Sequence, residues 1–536
     1  MPTLRHTAAS ASASATWAAL AFIAGAVLAA ATGLIFLAPG GSAWSGTLTD
    51  PYVWRVARFT LWQAALSALL SILFAMPVAH ALARRARFTG RTWLIRLLSL
   101  PLALPQLVAV MGILSLWGRH GWLARTAHFT GLPGLPGIYG LTGILLAHVF
   151  FNMPLAVRIL TAALERIPGE YWRLAAQLAM PRAAIWRHIA WPAMARVIPG
   201  AALLIFMLCA TSFTVVLILG GGPAATTLEV AIYQALRFDF DPPRAMALSL
   251  LQVLVTTAVF FILRRFTRAP DVTASLESPH AHPAGNDPAA RLADTFWIGL
   301  AAIFTAAPLA AIAAAGLTPD LVPLLASPAL HGALLASLIL AAAAAALTLI
   351  LSWALLQSLR LRDPSFAAMG DLAASLILVI PPVVLGAGWF IILHRAGQEA
   401  TLAPVLVATI NALMSLPFAW RILRPPFEEA QARYGRLCAA LDITGLARLR
   451  LVDWPMLRRP LGLAAALSLA LSIGDLGAIA LFGSESFRTL PWLLYQKLGS
   501  YRTDEAAGLA LILLVFILAL MALAEALGGQ SRRNTP

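Results

Sequence analysis

Twelve long, mostly apolar runs separated by short polar stretches limit what this chain can fold into. They lie at roughly 16–38, 60–83, 92–117, 138–163, 197–220, 243–263, 295–317, 331–357, 370–394, 403–423, 460–483 and 505–527. Each is long enough to cross a hydrocarbon core of about 30 Å as a helix. Lipid tolerates only structures that satisfy their own backbone hydrogen bonds, and unbroken runs of this length read as helices, not as barrel strands. The expected fold is therefore an all-α polytopic membrane protein with about twelve transmembrane helices in two six-helix halves. Composition agrees: 60% of residues are hydrophobic, 11% are charged and the mean hydropathy is +0.82. Soluble domains average about 45–50% apolar and about 25% charged, so a water-soluble core is excluded. The run at 16–38 exceeds the apolar region of a cleaved signal and reads as the first span, although its Ala-x-Ala triplets leave cleavage open.

The formal net charge is +15, and Lys497 is the only lysine among 38 basic residues. The arginines cluster between apolar runs, as at Arg84, Arg85, Arg87 and Arg91, at Arg166, Arg173, Arg182 and Arg187, and at Arg264, Arg265 and Arg268. Another cluster holds Arg424, Arg433, Arg436, Arg448, Arg450, Arg458 and Arg459. Such alternation is the positive-inside signal, which places these loops and both termini in the cytoplasm and gives no reason to expect nucleic-acid binding. The opposite loops are poorer in arginine. Thr318–Leu330 carries only Asp320, and Gly220–Pro242 carries Glu229, Asp239 and Asp241 against Arg237. Arg55, Arg58, Arg119 and Arg125 run against the bias. Between the halves, Ala269–Ala293 is rich in Pro, Ser, His and Asp, a composition that buries too little apolar surface to fold alone. It is expected to be a cytoplasmic linker joining a first half at 1–268 to a second at 294–536. Cys209 and Cys438 fall at different membrane levels and imply neither a disulfide nor a metal site.

An internal repeat carries the most information. Arg173-Leu-Ala-Ala-Gln-Leu-Ala179 is followed by Ile189-Ala-Trp-Pro192, and Arg436-Leu-Cys-Ala-Ala-Leu-Asp442 by Val452-Asp-Trp-Pro455, at a constant separation of 263 residues. Upstream, Pro154–Leu160 matches Pro417–Leu423 at the same separation. Downstream, Thr227–Gln234 matches Thr489–Gln496 at 262. Four blocks in one order exceed coincidence. The most similar residues lie in arginine-bearing loops where lipid imposes nothing, so the pair points to two equivalent partner subunits.

These blocks resemble the EAA loop of ABC-importer permeases, with its spacing intact. Arg173-Leu174-Ala175 and Arg436-Leu437-Cys438 stand where that loop has Glu-Ala-Ala. Ala179 and Asp442 replace its glycine, and Trp191-Pro192 and Trp454-Pro455 replace Leu-Pro. The resemblance implies that Arg173–Pro192 and Arg436–Pro455 are coupling helices seated in grooves of an ATPase. The lost glycine leaves the turn geometry open. Longer stretches resemble the permeases of thiamine importers, among them Ile144–Asn152, Gly220–Leu228, Ile232–Leu236, Leu471–Gly477, Phe487–Pro491 and Gly499–Arg502. That resemblance implies a type I importer fold in the bacterial inner membrane and a cargo of thiamine, with its phosphates. It also implies two copies of an ABC ATPase subunit and a periplasmic thiamine-binding protein. The EAA loop alone would equally fit iron, a polyamine or another solute.

No phosphate-cradling G-x-x-x-x-G-K-[ST] loop exists, since the one lysine stands in Tyr-Gln-Lys-Leu. The chain is thus not expected to be an enzyme: ATP belongs on the partner, and no cofactor or metal is expected on this chain. Leu527-Gly-Gly-Gln is too short a fragment to be an ATPase signature. His148 and His188 lack companions at metal-ligand spacing, and His148 reads as a packing or hydrogen-bonding residue. Asp475 is the prominent acid within the later spans, and intramembrane acids are functional candidates. It either faces a cationic cargo or caps a helix broken between Gly474 and Gly477. Ser212 stands at its equivalent level in the first half. Tyr233, Tyr495, Phe151 and Trp389 offer aromatic faces to a cation, or simply pack and anchor at the membrane interface. Arg166, Arg182, Arg187 and Arg448 pair either with ATPase carboxylates or with anionic lipid. A secondary transporter also has pseudo-symmetric halves, but it calls for several intramembrane acids. A scaffolding membrane protein would have no use for the paired motifs.

Overall fold

The computed structural model describes all residues except 1, 37–48, 86–87, 120, 131–136, 266–286, 362–363, 378, 486 and 530–536. The first half comprises α1 (Pro2–Phe36), α2 (Pro51–Arg84), α3 (Arg91–Ala103), α4 (Gln106–Trp117), α5 (Trp122–Phe129), α6 (Leu141–Glu165) and α7 (Gly169–Gln177). It continues with α8 (Arg182–Ala210), α9 (Thr214–Leu219), α10 (Leu228–Arg237) and α11 (Pro242–Arg264). The second half comprises α12 (Pro288–Gly316), α13 (Leu321–Leu325), α14 (Pro328–Leu356), α15 (Pro364–Leu376), α16 (Pro382–Ala396) and α17 (Glu399–Ala440). α18 begins at Gly445, passes through a π turn at Leu449–Asp453 and runs on as Trp454–Ile473. α19 (Gly477–Phe482), α20 (Leu490–Gly499) and α21 (Thr503–Gly529) complete it.

Among the described residues, eleven helices are long and apolar enough to cross a membrane. The twelfth expected span, 370–394, is instead divided into α15 and the 15-residue α16. Pro381 and Pro382 explain the division. A proline removes a ladder donor, and its ring pushes the preceding residue out of the helical region. Pro105 divides the run at 92–117 into α3 and α4 in the same way. Breaks also occur at 211–213, between α8 and α9, and at 474–476, between α18 and α19. Most of the stretch expected to be a linker lies outside the described residues. Its end does not: Pro288 already starts α12, with the Asp287 carboxylate accepting from Ala289 N–H at 3.4 Å. Asp50 begins α2 in the same manner, accepting from Tyr52 N–H at 2.8 Å, so an Asp-Pro pair opens a long helix in each half.

Each half is built on three mutually packed helices, α2, α6 and α8 in the first and α14, α17 and α18 in the second. The halves are then tied by exchange of their first helices: α1 packs against α14 and α16, and α12 against α2 and α4. Small residues allow this approach. A Cβ on Gly112 of α4 would lie 2.5 Å from the Pro308 carbonyl oxygen of α12, and one on Gly388 of α16 would lie 2.1 Å from that of Ala30 in α1. The two glycines occupy corresponding places in their halves.

The stretch Gly220–Pro242, read from sequence as an open periplasmic loop, is not one. It folds back into the protein as α10, whose Leu228, Glu229, Ile232 and Tyr233 are buried. α20 is its counterpart. Both helices receive a hydroxyl from the long helix beside them: Leu228 N–H donates to Thr60 Oγ at 3.0 Å, and Leu490 N–H to Ser337 Oγ at 2.8 Å.

Candidate functional site

The two matched loops have the same backbone. α7 ends at Gln177 and Ala179 turns left-handed with φ +46°; α17 ends at Ala440 and Asp442 does so with φ +50°. Met180 N–H then reaches back to Ala175 C=O at 3.0 Å, and Ile443 N–H to Cys438 C=O at 2.9 Å. These six-to-one bonds close the left-handed helix ending that glycine ordinarily supplies. The turn thus survives the loss of the glycine in both halves, and Ala179 and Asp442 carry the strain.

Beyond the turn, each loop widens into a π turn, Trp186–Ala190 and Leu449–Asp453, closed by Trp191 N–H to Trp186 C=O and by Trp454 N–H to Leu449 C=O. The proline that follows each tryptophan accounts for it. A proline ring inside a helix collides with the carbonyl four residues earlier, and a widened turn moves that carbonyl aside. Ala175 and Cys438 are the buried members that seat the loops. Ile189 and Val452 are half-buried, whereas Arg173 and Arg436 are exposed. Leu174 and Leu437 are 53% and 54% exposed, and Leu178, Leu441, Trp191 and Trp454 are also largely uncovered. Apolar side chains at matching positions on two loops form two equivalent surfaces that lack an intramolecular partner of comparable area.

The residues proposed to face the pathway gather where the halves meet. Asp475 caps α19: one carboxylate oxygen accepts from Gly477 N–H and the other from Ala478 N–H, both at 3.1 Å. Ser212 stands at the matching break and is buried, with no hydrogen-bond partner for its hydroxyl among the described residues. Phe213 crosses to the second half beside Gly477 and makes an edge contact with Tyr233, ring centroids 5.2 Å apart. The Tyr233 and Tyr495 side chains lie close to each other. The four residues singled out from sequence therefore belong to one neighbourhood. Trp389 instead donates its indole N–H to Ala26 C=O of α1 at 3.1 Å, and Phe151 packs edge-on to Phe150. Only the Trp389 contact joins two helices; the Phe151 contact lies within α6.

The breaks leave backbone carbonyls that must find donors in a medium without water. Gln63 of α2 donates to Cys209 C=O at 2.9 Å and Gln252 of α11 to Ala210 C=O at 3.3 Å. His148 has the hydrogen-bonding role expected of it, meeting Ser67 at 3.0 Å.

Three features escaped the sequence reading. Asp453 is buried and pairs with Arg360 at 2.5 Å, with Arg448 at 3.8 Å. Asp294 is buried between Arg84 and Arg85 at 2.5 and 3.0 Å. Glu229, which had been counted as a loop charge, is fully buried. An acid inside a repeat block of helical pattern was the available signal for Glu229 and Asp453. Pairing across more than 90 residues left no signal for the arginines.

The chain matches the family model described as binding-protein-dependent transport system inner membrane component over residues 71–271. It is 50% identical to the thiamine transport system permease protein ThiP of Brucella abortus (strain 2308) over 508 residues, 95% of this chain and 94% of that one. It is 45% identical to the ThiP protein of Salmonella typhimurium over 95% of both chains, and 44% identical to that of Escherichia coli K12 over 91% of both.

Proposed function

This chain belongs to the thiamine transport permeases among the binding-protein-dependent inner-membrane components, and from that premise we propose that it forms the path by which thiamine, with its phosphates, crosses the inner membrane of a bacterium. The observation that carries this reading is 50% identity sustained over 508 residues, 95% of the chain. The chain itself is a permease. Hydrolysis of ATP falls to a separate ATPase, two copies of which dock on the α7–α8 and α17–α18 loops, and a periplasmic protein delivers thiamine to the opposite face. The matched exposed leucines and tryptophans support two docking surfaces of one kind. Both termini and the stretch between the halves lie on the ATPase side.

The geometry supports a route for the motion. Each loop leads without interruption into α8 or α18, and these end at the breaks beside Phe213 and Asp475. Drawing the loops together as the ATPases close on ATP would displace both breaks at once and part the halves on the periplasmic side. Hydrolysis reverses the shift. ATP moves the equilibrium only as far as its binding energy differs between the two arrangements.

Proteoliposomes holding this chain with a candidate ABC ATPase and a candidate thiamine-binding protein test the reading. ATPase activity is expected to rise with thiamine-loaded binding protein and to lose that response when Leu174 and Leu437 are both replaced by Asp. Stimulation by the binding protein without regard to thiamine would overturn the cargo, and failure to associate with the ATPase would overturn the importer.

A further inference from the structure

The described residues bury three acids, and two of them are neutralised by arginines: Asp294 by Arg84 and Arg85, Asp453 by Arg360 and Arg448. The third is Glu229. Both of its carboxylate oxygens are buried without a hydrogen-bond partner among the described residues, and none of the ion pairs found among them includes it. Its exposure is 0%, so bulk solvent does not reach it. A buried carboxyl without partners is costly to hold, and such a group in a folded protein calls for an explanation. Its retention calls for a partner that is present in another state of the molecule.

Placement says what that partner is. α10 lies on the seam between the halves, packed against α16 and α19 of the second half. Glu229 is one turn from Tyr233 and on the same face of the helix, the face that meets Phe213 and Tyr495. In the cycle proposed above, separation of the halves would open this seam and uncover the Glu229 carboxylate. It sits in the first turn of α10, where the helix dipole favours negative charge. Thr227 adds a second unpartnered buried hydroxyl two residues before it. The second half has no acid there, since Pro491 stands at the matching position, although Thr489, the counterpart of Thr227, is likewise buried and unpartnered. Asp475, the other acid of the neighbourhood, already has both oxygens engaged by backbone N–H groups.

We infer that Glu229 is the acid that contacts the positively charged ring of the cargo as it passes between the halves, and so helps to select an organic cation. This rests on the thiamine reading above. Thiamine carries a fixed positive charge on its thiazolium ring, which a carboxylate in a site shielded from water would recognise through an ion pair, with Tyr233 and Phe213 offering aromatic faces beside it.

The test uses the full complex of permease, ATPase and binding protein in proteoliposomes, with uptake of radiolabelled thiamine and ATPase activity read together. Glu229→Gln keeps the size of the side chain and mimics a protonated carboxyl. Uptake is expected to fall at least tenfold while the complex still assembles and responds to loaded binding protein, and Glu229→Asp should recover part of the loss. Glu229→Met removes the buried polar group altogether and should be as inactive as Glu229→Gln, with thermal stability equal to or above wild type. Wild-type uptake in Glu229→Gln or Glu229→Met would overturn the inference alone. So would failure of both variants to assemble, since the carboxyl would then serve folding. A wild-type complex that moves no thiamine would overturn the cargo reading and this inference with it.

Discussion

The α7–α8 loop hangs between interruptions, whereas the α17–α18 loop continues a helix of 42 residues. At the same sites, 263 residues apart, the first loop has Pro168, Ile185 and Ala190 where the second has Gln431, Arg448 and Asp453. In the second loop these three form a polar network: Arg448 donates to Gln431 and lies near Asp453, which Arg360 holds from the end of α14. In the first loop Ile185 and Ala190 are buried apolar contacts, and Arg84, at the end of α2, pairs with Asp294 of α12. Two loops with one backbone are therefore held by different forces. Apolar contact accepts small sliding, while a network of charged hydrogen bonds fixes orientation. The second loop is clamped to the end of α14 by charge, whereas the first rests on apolar contacts, on the Trp186 ring against His80 of α2 and on the Arg182–Asp287 pair at the start of α12.

The largest expected effect breaks that clamp. Asp453→Ala strands Arg360 in a mostly buried site, and removing one member of a buried ion pair costs about 3 kcal/mol or more. The purified permease should melt well below wild type and lose ATPase coupling. Arg360→Met combined with Asp453→Ala should recover much of the stability without restoring coupling. If Asp453→Ala is instead no worse than Ile185→Ala in the first loop, the two loops are held alike and the contrast fails.

Docking on the ATPase should show the opposite pattern, symmetry. Leu174→Asp and Leu437→Asp each place a charge in an apolar contact, and loss of one anchor of an interface typically costs about 2 kcal/mol, or roughly thirtyfold in affinity. Binding of the ATPase to detergent-solubilised permease measures both. Equal losses with unchanged melting support two equivalent surfaces. A loss confined to one loop would mean that the difference in anchoring reaches the interface itself.

A smaller effect separates the two breaks. Asp475 caps α19, while the carbonyls freed at the first break are met by glutamines from α2 and α11. Asp475→Ala should cost about 1 kcal/mol of thermal stability, the usual worth of a cap, and Asp475→Asn distinctly less, with thiamine uptake close to wild type. Uptake abolished in Asp475→Asn at unchanged stability would give the carboxylate a role in transport beyond the cap.

Eleven of the twelve expected spans and the matched backbone of the two arginine-bearing loops were legible because their signals are local: apolar length, a constant separation of blocks, and Trp-Pro after an arginine-bearing helix. The interior was less so. Gly220–Pro242 has the glycines, proline and acids of an exposed loop, and only its tertiary placement turns Leu228–Arg237 into a buried helix. Run length also failed at 370–394, because hydropathy averages over Pro381 and Pro382 while the backbone cannot. The ion pairs of Arg360 and Arg84 depend on which helix ends meet, and a single sequence does not state that.

The turn that both halves share sets the finest test of the comparison. Ala179 and Asp442 adopt the same left-handed conformation, yet their side chains tolerate it unequally. A methyl group crowds the following carbonyl there, at about 1–2 kcal/mol, whereas aspartate offsets part of that cost by local hydrogen bonding. Replacing either by glycine removes the crowding and adds freedom to the unfolded chain, which returns about 0.4–1 kcal/mol. Ala179→Gly should therefore gain about 0.5 kcal/mol of thermal stability, and Asp442→Gly should change little. Equal gains at both sites would show that Asp442 draws no benefit from its carboxylate, and a loss at Ala179 would mean that the stiffness of a strained residue is what holds the first loop in place.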